Sequence, residues 1–215
     1  MADSQTVGLK WPWLTLSICG LAVLGFACAP LAVGLEYQRQ AILHGEWWRL
    51  LTAPLSHFSA SHLAWNLLAF GAAGWVIEAH GYRGLWLICL ATALGSGLLA
   101  LWLLPDLAAY RGLSGLATGA IVYFCLRRLA ESRRDRVLWL IILALLAGKI
   151  AYDLSTGQTL LATSAGEPLR VLGLAHLVGA VTGVAVAVWA RRSQHRRQSR
   201  VTPDPLAQLS PEPKG

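Results

Sequence analysis

A series of long apolar runs that carry almost no charge constrains this chain more than any other feature. Its 215 residues are 55% hydrophobic and 13% charged, with a mean hydropathy of +0.51, and the charges are bunched between the runs. A helix that is apolar all round is buried or faces lipid, whereas a surface helix of a soluble protein needs a polar face. The sequence therefore predicts an all-α, polytopic membrane protein whose length allows one compact helix bundle.

Six membrane-spanning helices are predicted, each near the roughly 20 residues that cross a bilayer core. Residues 1–12 would form a cytoplasmic N-terminus and residues 13–190 the six-helix membrane domain. Residues 191–215 would form a basic, then Pro-rich, disordered cytoplasmic tail. The predicted spans are 13–33, 57–79, 84–104, 113–129, 137–153 and 171–190.

The arginines predict the orientation of the bundle and exclude one class of partner. The net charge is +7, and the surplus falls in two clusters, 127–136 and 191–200, each directly after an apolar run. Positive residues mark cytoplasmic loops, so we expect both termini on the cytoplasmic side. We interpret the clusters as topology signals at an anionic lipid surface, and we expect no nucleic-acid partner.

Three short polar insertions interrupt the apolar runs. The first is HFSASHLAWN over 57–66, the second is GLSG over 112–115, and the third is AHLVG over 175–179. Ionisable groups within a membrane span are costly, mostly face a bundle interior or a water-filled cavity, and mark functional sites by default. The insertions are therefore the candidate site of the protein.

The depth of these insertions can be counted along the helices. A rise of about 1.5 Å per residue places Ser114, His176 and Asn66 roughly 18 to 22 Å from the cytoplasmic charges that end their helices. The three side chains thus fall near one level, roughly 10 Å beneath the outer surface. Non-helical backbone at that depth must be buried or line a wet cavity. The charged segment 105–112 therefore predicts a sunken, water-filled pocket at the start of span four.

Small residues predict that spans four and six approach each other closely. Each of these spans carries a stripe of small residues four apart, and Ser114 and His176 each lie one residue from the start of a stripe. Close approach of the two helices would therefore allow a hydrogen bond between Ser114 and His176. The stripes are Gly115 and Gly119 on span four, and Ala175, Gly179 and Gly183 on span six.

The residue types favour acyl transfer. A neutral imidazole within hydrogen-bond reach can activate a serine hydroxyl, so Ser114 and His176 would form a nucleophile–base pair. No Asp or Glu lies near His176 in the sequence, and we therefore expect a dyad whose imidazole is oriented by packing and hydrogen bonds rather than by a carboxylate. His62 and Asn66, on one helix face, and the backbone N–H of Ser114 would donate to the oxyanion.

Taken singly, these residues have plainer interpretations. A serine at a helix start often caps or packs, and an intramembrane histidine or asparagine often bonds a neighbouring helix. His57 would then only hold the loop above the site. Metal binding by His57, His62 and His176 is disfavoured, because the sequence has no HExxH motif and its four cysteines lack metal-type spacing. We expect neither a metal nor another cofactor.

The same residues resemble those of the rhomboid family of intramembrane serine proteases, over roughly residues 45–190. The resemblance implies that Ser114 is the nucleophile, His176 the general base, and His62 with Asn66 the oxyanion donors. The matching segments, in family order, are Trp48-Arg49, HFSASHLAWN over 57–66, Glu78, GLSG over 112–115, and AHLVGAVTG over 175–183.

The resemblance also implies supporting roles near the site. Gly112 would keep the serine approachable, while Trp48 and Arg49 would shape the outer loop. The remaining supporting residues of the prediction are Gly115 and Gly179, from the small-residue stripes, and His57.

The implied activity is that of a serine endopeptidase that cuts the transmembrane anchors of single-pass membrane-anchored proteins near the outer leaflet. The implied location is a bacterial inner membrane, with the site open to the periplasm. GKIAYD over 148–153 and AHLVGA over 175–180 are similar to the rhombosortase branch, which is associated with substrates that end in Gly-Gly, a hydrophobic helix and a basic tail.

Two positions leave questions within this resemblance. Many family members stack a tyrosine on the base histidine from the position four after the serine, and here that position is Thr118. The orientation of His176 must then depend on something else. Lys149 and Asp153, four apart near the outer end of span five, would form an ion pair, or Lys149 would instead snorkel to the interface.

Two other functions remain open. An inactive rhomboid-like protein would bind transmembrane segments without cutting them, although the presence of both Ser114 and His176 argues against it. A small transporter would use polar residues at matched depth as a path, but the sequence has no inverted repeats and few polar residues in its cytoplasmic halves.

Overall fold

The computed structural model describes residues 11–156 and 170–201, and helices make up most of it. Two short strands pair as an antiparallel ribbon, with Tyr37 opposite Tyr110. In chain order the elements are α1 (Trp13–Ala27), α2 (Ala29–Leu35), β1 (Tyr37–Gln38), α3 (Arg39–Leu43), α4 (Arg49–Thr52), a 3-10 turn (Ala53–Leu55), α5 (Ala60–Ala79), α6 (Leu85–Leu103), β2 (Ala109–Tyr110), α7 (Ser114–Glu131), α8 (Arg136–Thr156) and α9 (Arg170–Val201).

Helix α7 is the central helix of the bundle. It contacts α5, α6, α8 and α9, and most of its side chains between Gly115 and Cys125 are buried. Helices α5, α6, α8 and the 173–194 part of α9 are each long and apolar enough to cross a membrane. This arrangement confirms the predicted all-α membrane bundle, while the count of six spans stays a prediction.

The first predicted span, 13–33, is not one straight helix. Helices α1 and α2 meet at Cys28 with a bend of 118°, and together they would count as one further span. Pro30 lies in the first turn of α2. Because proline has no backbone N–H and clashes with the carbonyl four residues before it, a continuous helix through this point would lose a hydrogen bond. The chain breaks there instead.

Glu78 fixes the start of α1 to the end of α5. Its carboxylate accepts hydrogen bonds from the backbone N–H groups of Leu14 and Thr15, at 3.2 and 2.8 Å, and from the Thr15 hydroxyl. These N–H groups have no partner within their own helix, and a negative charge at a helix N-terminus is favourable. The first turn of α1 is therefore capped by a side chain from another helix.

Glycines let α7 and α9 touch backbone to backbone. A Cβ on Gly179 would lie 2.1 Å from the carbonyl oxygen of Gly115, and one on Gly183 would lie 2.5 Å from that of Gly119. Ala175 continues the same line, because its carbonyl oxygen lies 2.9 Å from where a Cβ of Gly115 would stand. The predicted close approach of these two helices is confirmed.

The other predicted helices match the observed ones to within a turn, except at the C-terminal end. Helix α9 runs past the predicted boundary at residue 190 as far as Val201, so the first part of the predicted tail is helical. The predicted N-terminus up to residue 10, the loop over 157–169 and the Pro-rich segment 202–215 lie outside the described residues.

Candidate active site

Ser114 is the first residue of α7, at the point where a buried loop enters the helix. Its backbone N–H is one of the four at a helix start that have no partner inside the helix. Its Oγ is enclosed and makes no hydrogen bond to any residue of the described chain. The hydroxyl is therefore held in the interior with both its donor and its acceptor capacity unused.

Gly112 brings this loop against two of the predicted oxyanion donors. Its φ of +117° lies in the left-handed region, where residues with a side chain are strained. A Cβ at this position would lie 2.7 Å from Cε1 of His62, 2.8 Å from its Nε2 and 3.2 Å from Nδ2 of Asn66. Only glycine fits, and the backbone two residues before Ser114 thus packs on His62 and Asn66.

His62 and Asn66 lie one turn apart on α5, and both are buried. Ser59 caps this helix, with its hydroxyl accepting a 3.1 Å hydrogen bond from the His62 backbone N–H. Within the part of the chain that the structure describes, neither Nδ1 of His62 nor Nδ2 of Asn66 has a hydrogen-bond partner. A buried polar group without a partner costs roughly 1–3 kcal/mol, which identifies these atoms as candidates to bind a ligand.

His57 extends this group of unpaired polar atoms. Its ring lies edge-on to that of His62, with 5.1 Å between the centroids, and it is almost fully buried. Neither ring nitrogen makes a close hydrogen bond among residues 11–156 and 170–201, and the backbone of Leu55 makes only a weaker contact with the ring. Burial, and to a lesser degree the neighbouring His62, lower the pKa of His57 to about 3, so its imidazole is neutral at physiological pH.

His176 is oriented by a carboxylate, so the prediction of a dyad without one is wrong. Its Nδ1 lies 2.8 Å from Oδ2 of Asp153, a residue of α8 that is 1% exposed. Lys149, one turn before on α8, lies 2.6 Å from the same oxygen. The sequence could not show this pairing, because Asp153 lies on another helix and 23 residues before His176. Of the two interpretations of Lys149, the ion pair is confirmed.

Ser114 and His176 lie beside one of the backbone contacts between α7 and α9. Gly115 and Ala175, their immediate neighbours, touch at that point. The predicted hydrogen bond between the serine and the histidine is not formed, since Ser114 Oγ has no partner within the described ranges. Catalytic hydrogen bonds are often long before substrate binds and tighten in the substrate complex.

Thr118 does not take the place of the family's tyrosine. Its hydroxyl donates a 2.9 Å hydrogen bond to the carbonyl oxygen of Ser114 within α7. The side chain therefore supports the first turn of the helix and leaves the orientation of His176 to Asp153.

The outer loop is built around a buried arginine. Arg49 is 6% exposed and donates to the carboxylate of Glu46 at 2.7 Å and to the carbonyl oxygens of Val33 and Glu36 at 2.6 and 2.9 Å. The indole N–H of Trp48 donates to the carbonyl oxygen of Gly34 at 3.2 Å. Both side chains thus tie the loop to the end of α2.

Arg111 links the same loop to the site, a role that the sequence did not reveal. Its guanidinium pairs with the buried carboxylate of Glu36, donates to the carbonyl oxygen of His57 at 3.3 Å and lies over the ring of Phe58. The only signal was an arginine directly before Gly112 in an apolar setting. The segment before α7 is therefore held by protein contacts.

A cavity of about 490 Å³ lies at the opposite end of α7 from Ser114, beside the turn that follows α5, and none of the predicted site residues line it. The predicted water-filled pocket above Ser114 thus stays a prediction. Among residues 11–156 and 170–201, no group of three or more His, Cys, Asp or Glu side chains is arranged to hold a metal. The cavity is lined by Gly81, Tyr82, Arg83, Arg127, Trp189, Ala190, Ser193, Gln194 and Arg196.

Comparisons with known proteins agree with the motifs at this site. The Rhomboid domain family model matches residues 44–193. Rhomboid-like protein 11, chloroplastic, of Arabidopsis thaliana is 30% identical over 146 residues, which are 66% of this chain and 52% of that protein. Rhomboid protease GluP of Bacillus subtilis (strain 168) is 33% identical over 92 residues, 41% of this chain and 18% of that protein.

This chain therefore spans about half of the first relative and under a fifth of the second. The family model, in contrast, covers more than half of the chain and includes every residue of the predicted catalytic group. The matching sequence segments, the helical bundle that holds them and the family match agree, and the chain belongs to the rhomboid family.

Proposed function

We propose that this protein is an intramembrane serine endopeptidase that cleaves the transmembrane anchors of membrane-tethered proteins near the outer leaflet. Ser114 is the nucleophile and His176 the general base. One observation carries the proposal: the loop that delivers Ser114 packs on His62 and Asn66, while the first turn of α7 packs on Ala175, the residue directly before His176. Three polar insertions that are distant in sequence thus meet in one buried group.

The proposed reaction is an acyl transfer in two steps. Nε2 of His176 accepts the Ser114 proton as Oγ attacks the carbonyl carbon of the scissile peptide bond. Collapse of the tetrahedral intermediate breaks the C–N bond, and His176 gives that proton to the departing amine. Water, deprotonated by His176, then attacks the acyl ester and releases the carboxyl product together with the free serine.

The unpaired donors of the site have a role in this scheme. A side-chain N–H of Asn66, a ring N–H of His62 and the backbone N–H of Ser114 would bind the oxyanion that develops on the substrate carbonyl. Nδ2 of Asn66 and Nδ1 of His62 have no partner among the described residues, which supports the assignment. Donors already bonded to the protein would have to break those bonds before they could stabilise a transition state.

The resemblance to the rhombosortase branch suggests the substrate class. We infer anchors that consist of a Gly-Gly pair, a hydrophobic helix and a basic tail. The arginine clusters support a multi-pass protein of the bacterial inner membrane with both termini in the cytoplasm and the site open to the periplasm. A direct test compares cleavage of such an anchor with that of a matched anchor in which Ala-Ala replaces Gly-Gly, both in proteoliposomes.

One observation favours the alternative of an inactive protein that binds transmembrane segments, namely the missing hydrogen bond on Ser114. A fluorophosphonate probe separates the two functions, because it labels only a serine that a base activates. We expect the purified protein to be labelled at Ser114, and both Ser114→Ala and His176→Ala to abolish labelling.

Ser96→Ala is the matched control. Ser96 is another buried serine whose hydroxyl has no partner within the described chain, but it lies on α6. Its loss should leave labelling unchanged. Labelling that persists in Ser114→Ala, or an unlabelled wild-type protein that is folded, contradicts the endopeptidase proposal.

A further inference from the structure

We propose that Asp153 is a positioning residue that fixes both the orientation and the tautomer of His176, and that Lys149 holds Asp153 in place. This inference rests on the proposed function, because it concerns the base of the same reaction. It makes α8 part of the catalytic apparatus, because it adds Asp153 to the proposed Ser114–His176 pair as the group that holds the imidazole.

The position of Asp153 is unusual for its helix. Helix α8 is exposed along most of its length, and only Ile150 and Asp153 are buried among its residues. A largely exposed helix thus turns a carboxylate inward, toward the bundle. Apolar side chains of similar volume often stabilise a fold as well as a buried ion pair does. Packing alone therefore does not account for an acid at this place.

The contacts of Asp153 determine the tautomer of His176. A carboxylate oxygen accepts hydrogen bonds only, so the 2.8 Å contact requires the proton to be on Nδ1 of the imidazole. Nε2 of the neutral ring then carries the lone pair. That nitrogen is the one left to accept the Ser114 proton, since Nδ1 is occupied.

The other possible arrangement can be excluded by the same contacts. If Lys149 donated to Nδ1, the Nδ1 lone pair would face the Asp153 oxygen at 2.8 Å, and two acceptors would repel each other. Nζ of Lys149 is 3.4 Å from Nδ1 but 2.6 Å from Oδ2 of Asp153. The ammonium therefore bonds to the carboxylate and holds it in front of the imidazole.

The charged and titratable groups around His176 within the described residues are few. Asp153 and Lys149 face it from α8, and His62 faces it from α5. A carboxylate favours the imidazolium that forms when Ser114 loses its proton, whereas the ammonium opposes it. The two members of the ion pair thus act on the base in opposite directions, which gives each one a distinct experimental signature.

The test measures the rate of fluorophosphonate labelling of Ser114 across a pH series in detergent. Asp153→Asn keeps the shape of the side chain but removes its charge, and we expect labelling to slow by roughly 100-fold or more. The acidic limb of the pH profile should move to lower pH. Lys149→Met should stay within about tenfold of the wild-type rate, with its acidic limb moved to higher pH.

The double variant Lys149→Met/Asp153→Asn distinguishes positioning from simple charge pairing. If the acid were present only to neutralise Lys149, removing both charges would restore labelling. We expect the double variant to remain as slow as Asp153→Asn. Restored labelling, or wild-type rates and an unshifted acidic limb in Asp153→Asn, overturns the inference.

A second measurement does not depend on whether the Asp153 and Lys149 variants fold. In ¹⁵N-histidine-labelled wild-type protein, with His176→Ala to assign the signal, we expect the neutral His176 ring to carry its proton on Nδ1. A proton on Nε2 contradicts the inference. The proposed function fails separately, through labelling of Ser114→Ala, so an inert Asp153 and a wrong nucleophile give different results.

Discussion

Gly179 of α9 lies so close to Gly115 of α7 that a single methyl group cannot be added between them. A Cβ on Gly179 would stand 2.1 Å from the Gly115 carbonyl oxygen, which is backbone and cannot rotate away. The distance between the helix that carries Ser114 and the helix that carries His176 is therefore set by glycine. Substitutions at this contact test how strictly the site depends on it.

Gly179→Ala should separate α7 from α9 and lower both stability and fluorophosphonate labelling. Overpacking a tight core costs about 1–3 kcal/mol, and here the obstacle is backbone. Thermal unfolding in detergent and the labelling rate measure the two effects. Gly148→Ala on α8, where nothing lies within 4 Å of the added Cβ, is the control and should leave both unchanged. Equal behaviour of the two variants contradicts the packing assignment.

Gly112→Ala should abolish or strongly reduce labelling for two reasons, the positive φ and the collision with His62 and Asn66. Gly45→Ala separates these causes, because Gly45 also has a positive φ of +106° but open space around it. Backbone strain alone should cost about 1–3 kcal/mol in stability. A loss of labelling confined to Gly112→Ala would assign the effect to the site.

Asn66→Ala should lower kcat for an anchored substrate by roughly 100-fold or more, with little change in folding, because it removes one donor to the oxyanion. Thr92→Val is the matched control, since the Thr92 hydroxyl is equally buried and unpaired among the described residues but lies on α6. Its turnover should equal that of wild type. An unchanged kcat in Asn66→Ala removes this residue from the oxyanion hole.

Breaking the Glu36–Arg111 pair should destabilise the segment before Ser114. Arg111→Met leaves the buried Glu36 carboxylate without its partner, and removing one member of a buried pair costs about 3–5 kcal/mol. The double variant Glu36→Gln/Arg111→Met should recover much of that loss in thermal unfolding. A double variant as unstable as Arg111→Met would show that Arg111 acts mainly through Phe58 or the His57 carbonyl.

His57 should make the protein less stable as pH falls. Its pKa is about 3 in the fold and about 6.5 in the unfolded chain, so the unfolded state binds more protons between these values. The contribution of the neutral ring to the free energy of unfolding is complete at neutral pH and is about 2 kcal/mol smaller at pH 5. His57→Asn should flatten this dependence in unfolding measurements, and a pH dependence as steep as that of the wild type would contradict the assignment.

The sequence predicted those parts of the site that depend on local pattern. Gly115 and Gly119 on α7, and Gly179 and Gly183 on α9, indicate a helix contact through their spacing, whereas the role of Gly112 was implied only by the family resemblance. His62 and Asn66 share a helix face because of helical periodicity. The pairing of Ser114 with His176 is different, because the helical rise predicts their depth but not the rotation of each helix.

The parts that the sequence did not predict depend on tertiary neighbours. Asp153 contacts His176 only because one turn of α8 faces α9. In the sequence, an ion pair with Lys149 already accounts for Asp153, so nothing pointed to a histidine partner. The β1–β2 ribbon places Arg111 beside Glu36. Each strand has only two residues, which is too short to show the alternating pattern by which a strand is recognised in a sequence. Pro30 explains the bend at Cys28 in the structure. In the sequence, however, a proline within an apolar run is also compatible with a continuous span.

The early end of α1 has a consequence for the surrounding lipid. Fifteen residues rise only about 22 Å, whereas a bilayer core is about 30 Å thick. With α2 turned aside by 118°, the described residues after Ala27 do not extend α1 in a straight line. Acyl chains beside a span of this length compress to meet it, so we expect the thickness of the host membrane to act mechanically on this rhomboid family member.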